Sequence, residues 1–343
     1  MIKPLIMKGW DKDIKKAYDD SKLPLVTMNM TRECNFSCNY CHTDAGKADE
    51  NEVTGKEWEK VIDESTELGA DLFWIGGRGE PLLDKSFKEV IGHINETGST
   101  TILNTNGTLI NHEMATFLYK NNVSPEVKII SFDENVYDYM AGVSGAMPLM
   151  RKGIDNLLEA GYGEIINETS DARITRLSGM MLLTRSAYDS IPEVLEFCKE
   201  NNMAPLISDV IAAGRVVSNR NLEELHVSQE DEKNLLKKAN EIMGYKLEEG
   251  FDICSIQYGV FIQNNGDVIV DRYGMSCDVC DYQGRRTIDN IRENDIKTIW
   301  NNILNERERS KEEIEKAYQD FEYSNCFSKC PMMIQSQKDY FKI

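Results

Sequence analysis

The sequence predicts an α/β fold: six β/α units in succession, forming a parallel sheet that is curled or closed and covered by helices, followed by a smaller cysteine-rich unit. Three observations predict it. Short apolar extended segments alternate with amphipathic helical stretches from residue 24 to about 250. Several of the helices open on capping signatures. The alternation then stops, and a hairpin signature with paired cysteines takes over.

The extended segments fall at 24–30, 71–75, 100–104, 127–132, 174–183 and 204–211. Between them, Thr54 with Glu57, Ser190 with Glu193 and Ser228 with Asp231 have the spacing of capping boxes, in which side chains satisfy the free amides of a first helical turn. Trp58, Val61 and Ile62 supply the inward stripe of the first helix. In such a sheet, function belongs on the loops that follow the C-terminal ends of the strands. Residues 1–23 form an N-terminal extension too short for an independent domain, and 24–250 form the β/α body. From Gly259 to Asp271 the chain reads as a hairpin turning at Asn264-Asn265-Gly266-Asp267, so a second domain is placed at 251–343.

Composition narrows the function classes. At 343 residues, with 41% hydrophobic and 28% charged residues, the chain can bury a sizeable core and does not resemble a disordered one. Its 39 basic and 58 acidic residues give a net charge of −19, which argues against a surface that tracks nucleic-acid phosphates. The first residues lack a secretory apolar core, and no run approaches membrane-spanning length. A cytoplasmic protein with neither a nucleic-acid nor a membrane partner is expected.

Nine cysteines in that compartment point to metal ligation rather than disulfides. Cys34, Cys38 and Cys41 follow the first strand; Cys254, Cys277, Cys280, Cys326 and Cys330 lie in the second domain; Cys198 stands alone at helical spacing and is expected to be a buried structural thiol. A structural zinc site is closed by four protein ligands, so a local triplet suggests a metal centre left open on one side.

Cys34-xxx-Cys38-xx-Cys41 after a first strand resembles the signature of the radical S-adenosylmethionine (radical SAM) superfamily. The resemblance implies that the three thiolates hold three irons of a [4Fe-4S] cluster and that the fourth iron binds S-adenosylmethionine. In that family, reduction of the cluster gives a 5′-deoxyadenosyl radical that abstracts a substrate hydrogen atom. Further matches occur in order. Gly76-Gly77-Arg78-Gly79-Glu80-Pro81 resembles the GGEP motif, Asn104-Thr105-Asn106-Gly107-Thr108 the TNG segment, and Ser131-Phe132-Asp133 the S-x-D segment. By resemblance, Gly77, Gly79, Glu80, Asn106 and Ser131 contact the cofactor, with the Glu80 carboxylate on its amine. Tyr40 takes the aromatic position beside the adenine, and Arg185 is a candidate for the cofactor carboxylate. One departure stands out: relatives often carry an Arg before a Gly after the fourth strand, where this chain has Asp138-Tyr139-Met140-Ala141-Gly142.

The implied architecture is a partial (β/α)6 TIM-like barrel followed by a small α+β domain similar to twitch or SPASM extensions, which carry auxiliary iron-sulfur clusters. Full SPASM domains hold about seven cysteines, so the five here suit one auxiliary [4Fe-4S] cluster. Asp271 stands where a ligand is usual, and one thiol is left over, either an unused neighbour or a hydrogen-atom donor. Cys277-xx-Cys280 with Cys326-xxx-Cys330 also has spacing suited to zinc. The expected activity is dehydrogenation or epimerisation of a small polar substrate, a sugar, aminocyclitol or amino acid, with a reducing partner such as flavodoxin or ferredoxin. Radical modification of a ribosomal peptide is the alternative. A non-enzymatic iron-sulfur scaffold would require the strand-end motifs to be coincidental.

Overall fold

The computed structural model describes residues 2–4, 16–168, 173–211, 213–219, 225–247, 258–270 and 286–319. Its strands are β1 (Ile2–Pro4), β2 (Leu25–Met28), β3 (Leu72–Ile75), β4 (Thr100–Thr105), β5 (Val123–Lys128), β6 (Asn167–Glu168), β7 (Arg173–Thr175), β8 (Ser178–Leu183), β9 (Ala204–Asp209), β10 (Val260–Ile262), β11 (Asp267–Val270) and β12 (Arg286–Asn290). Strands β2, β3, β4, β5, β8 and β9 pair in parallel in that order. They are the six strands of the expected curled sheet. The helices are α1 (Gly55–Glu67), α2 (Phe87–Glu96), α3 (His112–Lys120), α4 (Glu134–Ala141), α5 (Ala146–Leu157), α6 (Ile191–Glu200), α7 (Arg215–Asn219), α8 (Gln229–Met243) and α9 (Ile296–Gln319).

Side chains alternate across each strand, which explains the two cores. Val26, Met28, Phe73, Ile75 and Leu103 join Trp58, Val61, Ile62, Val90 and Ile91 of the helices in the main core. On the opposite face Leu25, Leu72 and Ile102 form a small separate cluster, the apolar floor of the lumen. Being buried on both faces is what makes these segments read as apolar runs. Further along the same inner rows the residues turn polar: Thr27 and Asn29, Asn104 and Asn106, Glu126 and Lys128. The C-terminal end of the barrel is therefore its chemical end.

Several sequence expectations shift. The fourth strand covers 123–128 instead of 127–132, because Pro125, Glu126 and Lys128 interrupt its apolar character and drew the assignment onto Ile129 and Ile130. The segment 174–183 is two strands. β7 pairs with β1 and β6 in a separate three-stranded sheet, so the N-terminal extension itself contributes a strand. The turn between β7 and β8 is fixed by Arg176, which donates to the carbonyls of Tyr119 and Val123 at 3.1 and 2.9 Å.

The hairpin is present: β10 and β11 are antiparallel, and Gly266 takes the left-handed conformation (φ +88°) that their turn requires. It does not stand apart from the barrel, since β10 runs parallel to β2 in the same nine-stranded sheet. Helix α8 ends at Met243 on Gly244 (φ +78°), before the expected Gly250. The long α9 that follows β12 was not anticipated. The five C-terminal cysteines and Asp271 lie outside the described residues. Cys198 is fully buried, as expected of a structural thiol. No helix among the described residues is long and apolar enough to cross a membrane.

The capping expectations divide. Thr54 and Glu57 form the complete reciprocal box. Ser228 accepts from the Asp231 amide at 3.1 Å and donates its hydroxyl to Asp231 Oδ2 at 2.8 Å, an oxygen that also accepts from Arg185 at 3.2 Å. Ser190 makes no cap bond, and its hydroxyl pairs with Ser131 at 2.8 Å. Thr54→Ala should accordingly cost about 1 kcal/mol in a urea-unfolding comparison, and Ser190→Ala should leave the start of its own helix unaffected.

Candidate radical-initiation site

Immediately after β2 the chain forms a loop from 31 to 46 that carries Cys34, Cys38 and Cys41. Backbone bonds close its base, Cys34 N–H to Gly46 O at 2.9 Å and Gly46 N–H to Arg32 O at 3.1 Å. Its middle rests on the end of α4, where Ser37 and Asn39 donate to the carbonyls of Ala141 and Met140 at 3.0 and 3.1 Å. All three thiols are unbridged and half-buried. The Phe36 amide points at Cys34 Sγ (3.4 Å) and the Ala45 amide at Cys41 Sγ (3.3 Å), while Thr43 Oγ1 also meets Cys41 Sγ at 3.4 Å.

This donor set fits an iron-sulfur cluster. The three thiols are near enough to feel one another's charge, yet among the described residues no trio converges tightly as a single-ion site would. A cubane is larger than one ion and spreads its thiolates further apart. Burial pushes the Cys34 thiol up to about 12 and raises Cys38 as well, so a soft cation is what would ionise them. Amide N–H groups aimed at sulfur are the kind of contact that sustains a thiolate.

The glycine loop after β3 lies against this segment. Gly76 and Gly77 adopt φ +156° and +105°, and a Cβ on Gly77 would fall 2.4 Å from Asn29 Oδ1. A Cβ on Gly79 would fall 2.3 Å from the carbonyl oxygen of Glu33, inside the cysteine loop itself. Only glycine permits that approach. The Glu80 amide donates to the same Glu33 carbonyl at 2.8 Å. Its carboxylate is buried and already engaged: Oε1 accepts from Thr105 Oγ1 (2.8 Å) and the Leu82 amide (3.3 Å), and Oε2 accepts from the Asn106 amide (2.8 Å). Burial outweighs these donors and pushes its carboxyl up to about 7. The Asn106 side chain donates to Asn35 Oδ1 at 2.8 Å, so cysteine loop, glycine loop and TNG turn are tied together around one point.

The remaining expected contacts are distributed unevenly. Tyr40 is buried with its hydroxyl at Cys38, and the Lys128 ammonium lies 5.3 Å from its ring centre. Ser131 is fully buried and spends its hydroxyl on Ser190 and the Asp133 amide. Arg185 stands away from the cysteine loop, paired with Asp231 at 3.2 Å and more than half exposed. Asp138, at the point of departure from the family pattern, caps α5 through the amides of Ala146 and Met147 (2.9 and 3.2 Å).

Sequence reasoning missed Lys128, Glu126 and Arg215. The first two are adjacent inner-row residues of β5, hidden by the misplaced strand. Asn104 bridges Trp74 Nε1, which donates to it at 2.9 Å, and Glu126, to which it donates. Burial pushes the Glu126 carboxyl from 4.5 to about 8, with Lys128 opposing. A carboxyl raised on folding favours the folded state below its unfolded value, and that contribution is lost as pH rises from about 4.5 through 8. Glu126→Gln should thus raise unfolding stability at pH 9, by several kcal/mol at about 1.4 kcal/mol per pKa unit, and change little at pH 4, as read by urea unfolding at the two pH values.

Comparisons with known proteins bear on the family and the fold. The Radical SAM superfamily profile matches residues 28–198, about half of the chain, from β2 through α6. Fe-coproporphyrin III synthase of Methanosarcina barkeri is 32% identical over 167 residues, 47% of this chain and 42% of that protein. The sporulation killing factor maturation protein SkfB of Bacillus subtilis is 28% identical over 182 residues, 52% and 40% of the two chains. The chain thus matches about two fifths of the length of these relatives. Among solved structures, Streptococcus suis SuiB bound to precursor peptide SuiA has a TM-score of 0.63 at 18% identity, covering 85% of this chain and 68% of SuiB. The anSMEcpe structure with bound AdoMet and Cp18Cys peptide has a TM-score of 0.64 at 14% identity, covering 93% and 96%.

The chain belongs to the radical SAM superfamily. Its cofactors are a [4Fe-4S] cluster and the S-adenosylmethionine that the cluster binds.

Proposed function

We propose that this protein is a radical SAM enzyme that modifies a peptide, with Cys34, Cys38 and Cys41 as the cluster ligands. The observation that carries the initiation chemistry is the junction of the cysteine loop with the glycine loop and TNG turn, through Gly79 on Glu33, Glu80 on Asn106 and Asn106 on Asn35. Gly77, Gly79, Glu80 and Asn106 line the cofactor side of that junction, and Tyr40 packs beneath it. When bound, the cluster supplies the electron that cleaves the sulfonium and so yields the hydrogen-abstracting radical. The protein's own part is to hold the thiols in register, to present a buried carboxylate to a cationic amine, and to exclude water.

For the substrate, the comparisons favour a peptide over the small polar molecule expected from the sequence. SkfB and the mycofactocin maturase MftC of Mycobacterium ulcerans are named as maturases, and SuiB was solved with a precursor peptide. The test is anaerobic reconstitution followed by 5′-deoxyadenosine release with candidate precursor peptides and with sugars, aminocyclitols and amino acids. Stimulation by the small molecules alone would overturn the peptide assignment.

We also assign residues 251–343 to an auxiliary-cluster domain of the twitch or SPASM kind, with four ligands drawn from Cys254, Cys277, Cys280, Cys326, Cys330 and Asp271. A flavodoxin or ferredoxin is the proposed reductant. Fully loaded protein should hold about eight irons per chain, four in each cubane. Elemental analysis giving about four irons with one zinc would show that the second domain is structural instead.

A further inference from the structure

We infer that Arg215 is a positioning residue that clasps the cluster-binding loop from beyond the last strand of the parallel set and sets a positive charge beside it. It opens α7, just beyond β9, the sixth parallel strand, and is 170 residues from Ala45 in sequence. Its guanidinium donates to Cys38 O through Nη1 (3.0 Å), to Asp44 Oδ1 through Nε (2.8 Å) and to Ala45 O through Nη2. Its own amide donates to Cys41 O at 2.8 Å. One residue therefore grips the distal half of the loop at 38, 41, 44 and 45.

The adjoining backbone is shaped for this contact. Gly214 has φ +53°, and a Cβ there would lie 2.5 Å from His42 O and 2.7 Å from Cys41 O. The clasp also bridges a gap, since β2 and β9 are not neighbours in the sheet. An arginine is needed because three acceptors approach from different directions, and only a planar fork with five fixed donors meets them together. Its side chain is only 17% exposed; the Asp44 carboxylate paired with it at 2.8 Å is 58% exposed and better screened by water, so a net positive field acts on Cys38 and Cys41. A reduced cluster carries one more negative charge than an oxidised one, so a nearby cation favours reduction.

This inference rests on the radical SAM assignment, and its test separates the two. Wild type, Arg215→Gln and Arg215→Lys would be compared in two measurements. In cluster-free protein, alkylation rates of individual cysteines are read by mass spectrometry. In reconstituted protein, the midpoint potential is read for the cluster whose electron paramagnetic resonance signal responds to S-adenosylmethionine.

Arg215→Lys keeps the charge that favours the Cys38 and Cys41 thiolates but loses the planar fork, so it should speed alkylation of those two several-fold while sparing Cys34, whose half of the loop is held by Gly46 and Gly79, and should keep the potential near that of wild type. Arg215→Gln should move the potential negative. Unchanged alkylation in Arg215→Lys would overturn the clasp, as would equal acceleration at all three thiols, and an unchanged potential in Arg215→Gln would overturn the electrostatic role. If Arg215→Gln folds poorly, Arg215→Lys still decides the clasp by its alkylation pattern. A wild type that takes up no cluster at the triplet would overturn the assignment of the site, and the alkylation pattern would still decide the clasp.

Discussion

Replacing Cys34, Cys38 and Cys41 together by alanine should leave a folded chain that no longer cleaves S-adenosylmethionine and holds about four fewer irons. Folding should survive because the loop owes little to the thiols. Its base is closed by the Cys34 and Gly46 backbone bonds, its middle rests on Ala141 and Met140, and its far side is held by Arg215. The sulfur-directed bonds, at 3.3 to 3.4 Å, are weak ones because a thiol is a weak donor and acceptor, and each cysteine is only half-buried. Circular dichroism and a melting curve close to wild type are therefore expected beside a complete loss of reductive cleavage. Residual cleavage at the wild-type rate would mean that radical initiation lies elsewhere.

Which parts of this site were legible in the sequence follows from how far apart the interacting residues lie. The Thr54–Glu57 box was readable because both halves lie within one helical turn. The superficially similar Ser190–Glu193 pair was not, because Ser190 is claimed by Ser131, 59 residues away. The cysteine, GGEP and TNG motifs were visible as strings and in the right order along the strands. How they meet was not visible: the close approach of Gly79 to Glu33 and the bond from Asn106 to Asn35 exist only once β2, β3 and β4 lie side by side. The fourth strand misled because its inner row is polar. Ser124, Glu126 and Lys128 are tolerated there by facing the lumen, and hydrophobic periodicity has no term for a lumen. Arg215 carried no local signal at all, since every group it grips lies at least 170 residues earlier.

The Glu80→Gln variant should bind S-adenosylmethionine roughly ten- to a hundredfold more weakly, at about 1.4 kcal/mol per tenfold, with cluster content unchanged. Two effects combine. The variant removes the negative charge proposed to meet the cofactor amine, and a charge-assisted bond of that kind contributes about 1.5 to 3 kcal/mol. It also disturbs the junction, because both carboxylate oxygens now accept from protein donors: Thr105 and Leu82 on one, Asn106 on the other. An amide placed either way turns an N–H toward one of those donors, leaving a buried group unsatisfied. The pH dependence distinguishes charge from shape. With its carboxyl at about 7, free Glu80 is largely protonated below neutrality and must lose a proton to meet a cationic amine. Affinity in the wild type should therefore rise with pH up to about 7 and level off above it, whereas Glu80→Gln should show no such dependence. Titrating the cluster's spectroscopic response with S-adenosylmethionine from pH 6 to 8.5 measures both. Parallel pH profiles in the two proteins would mean that Glu80 shapes the loop without touching the cofactor.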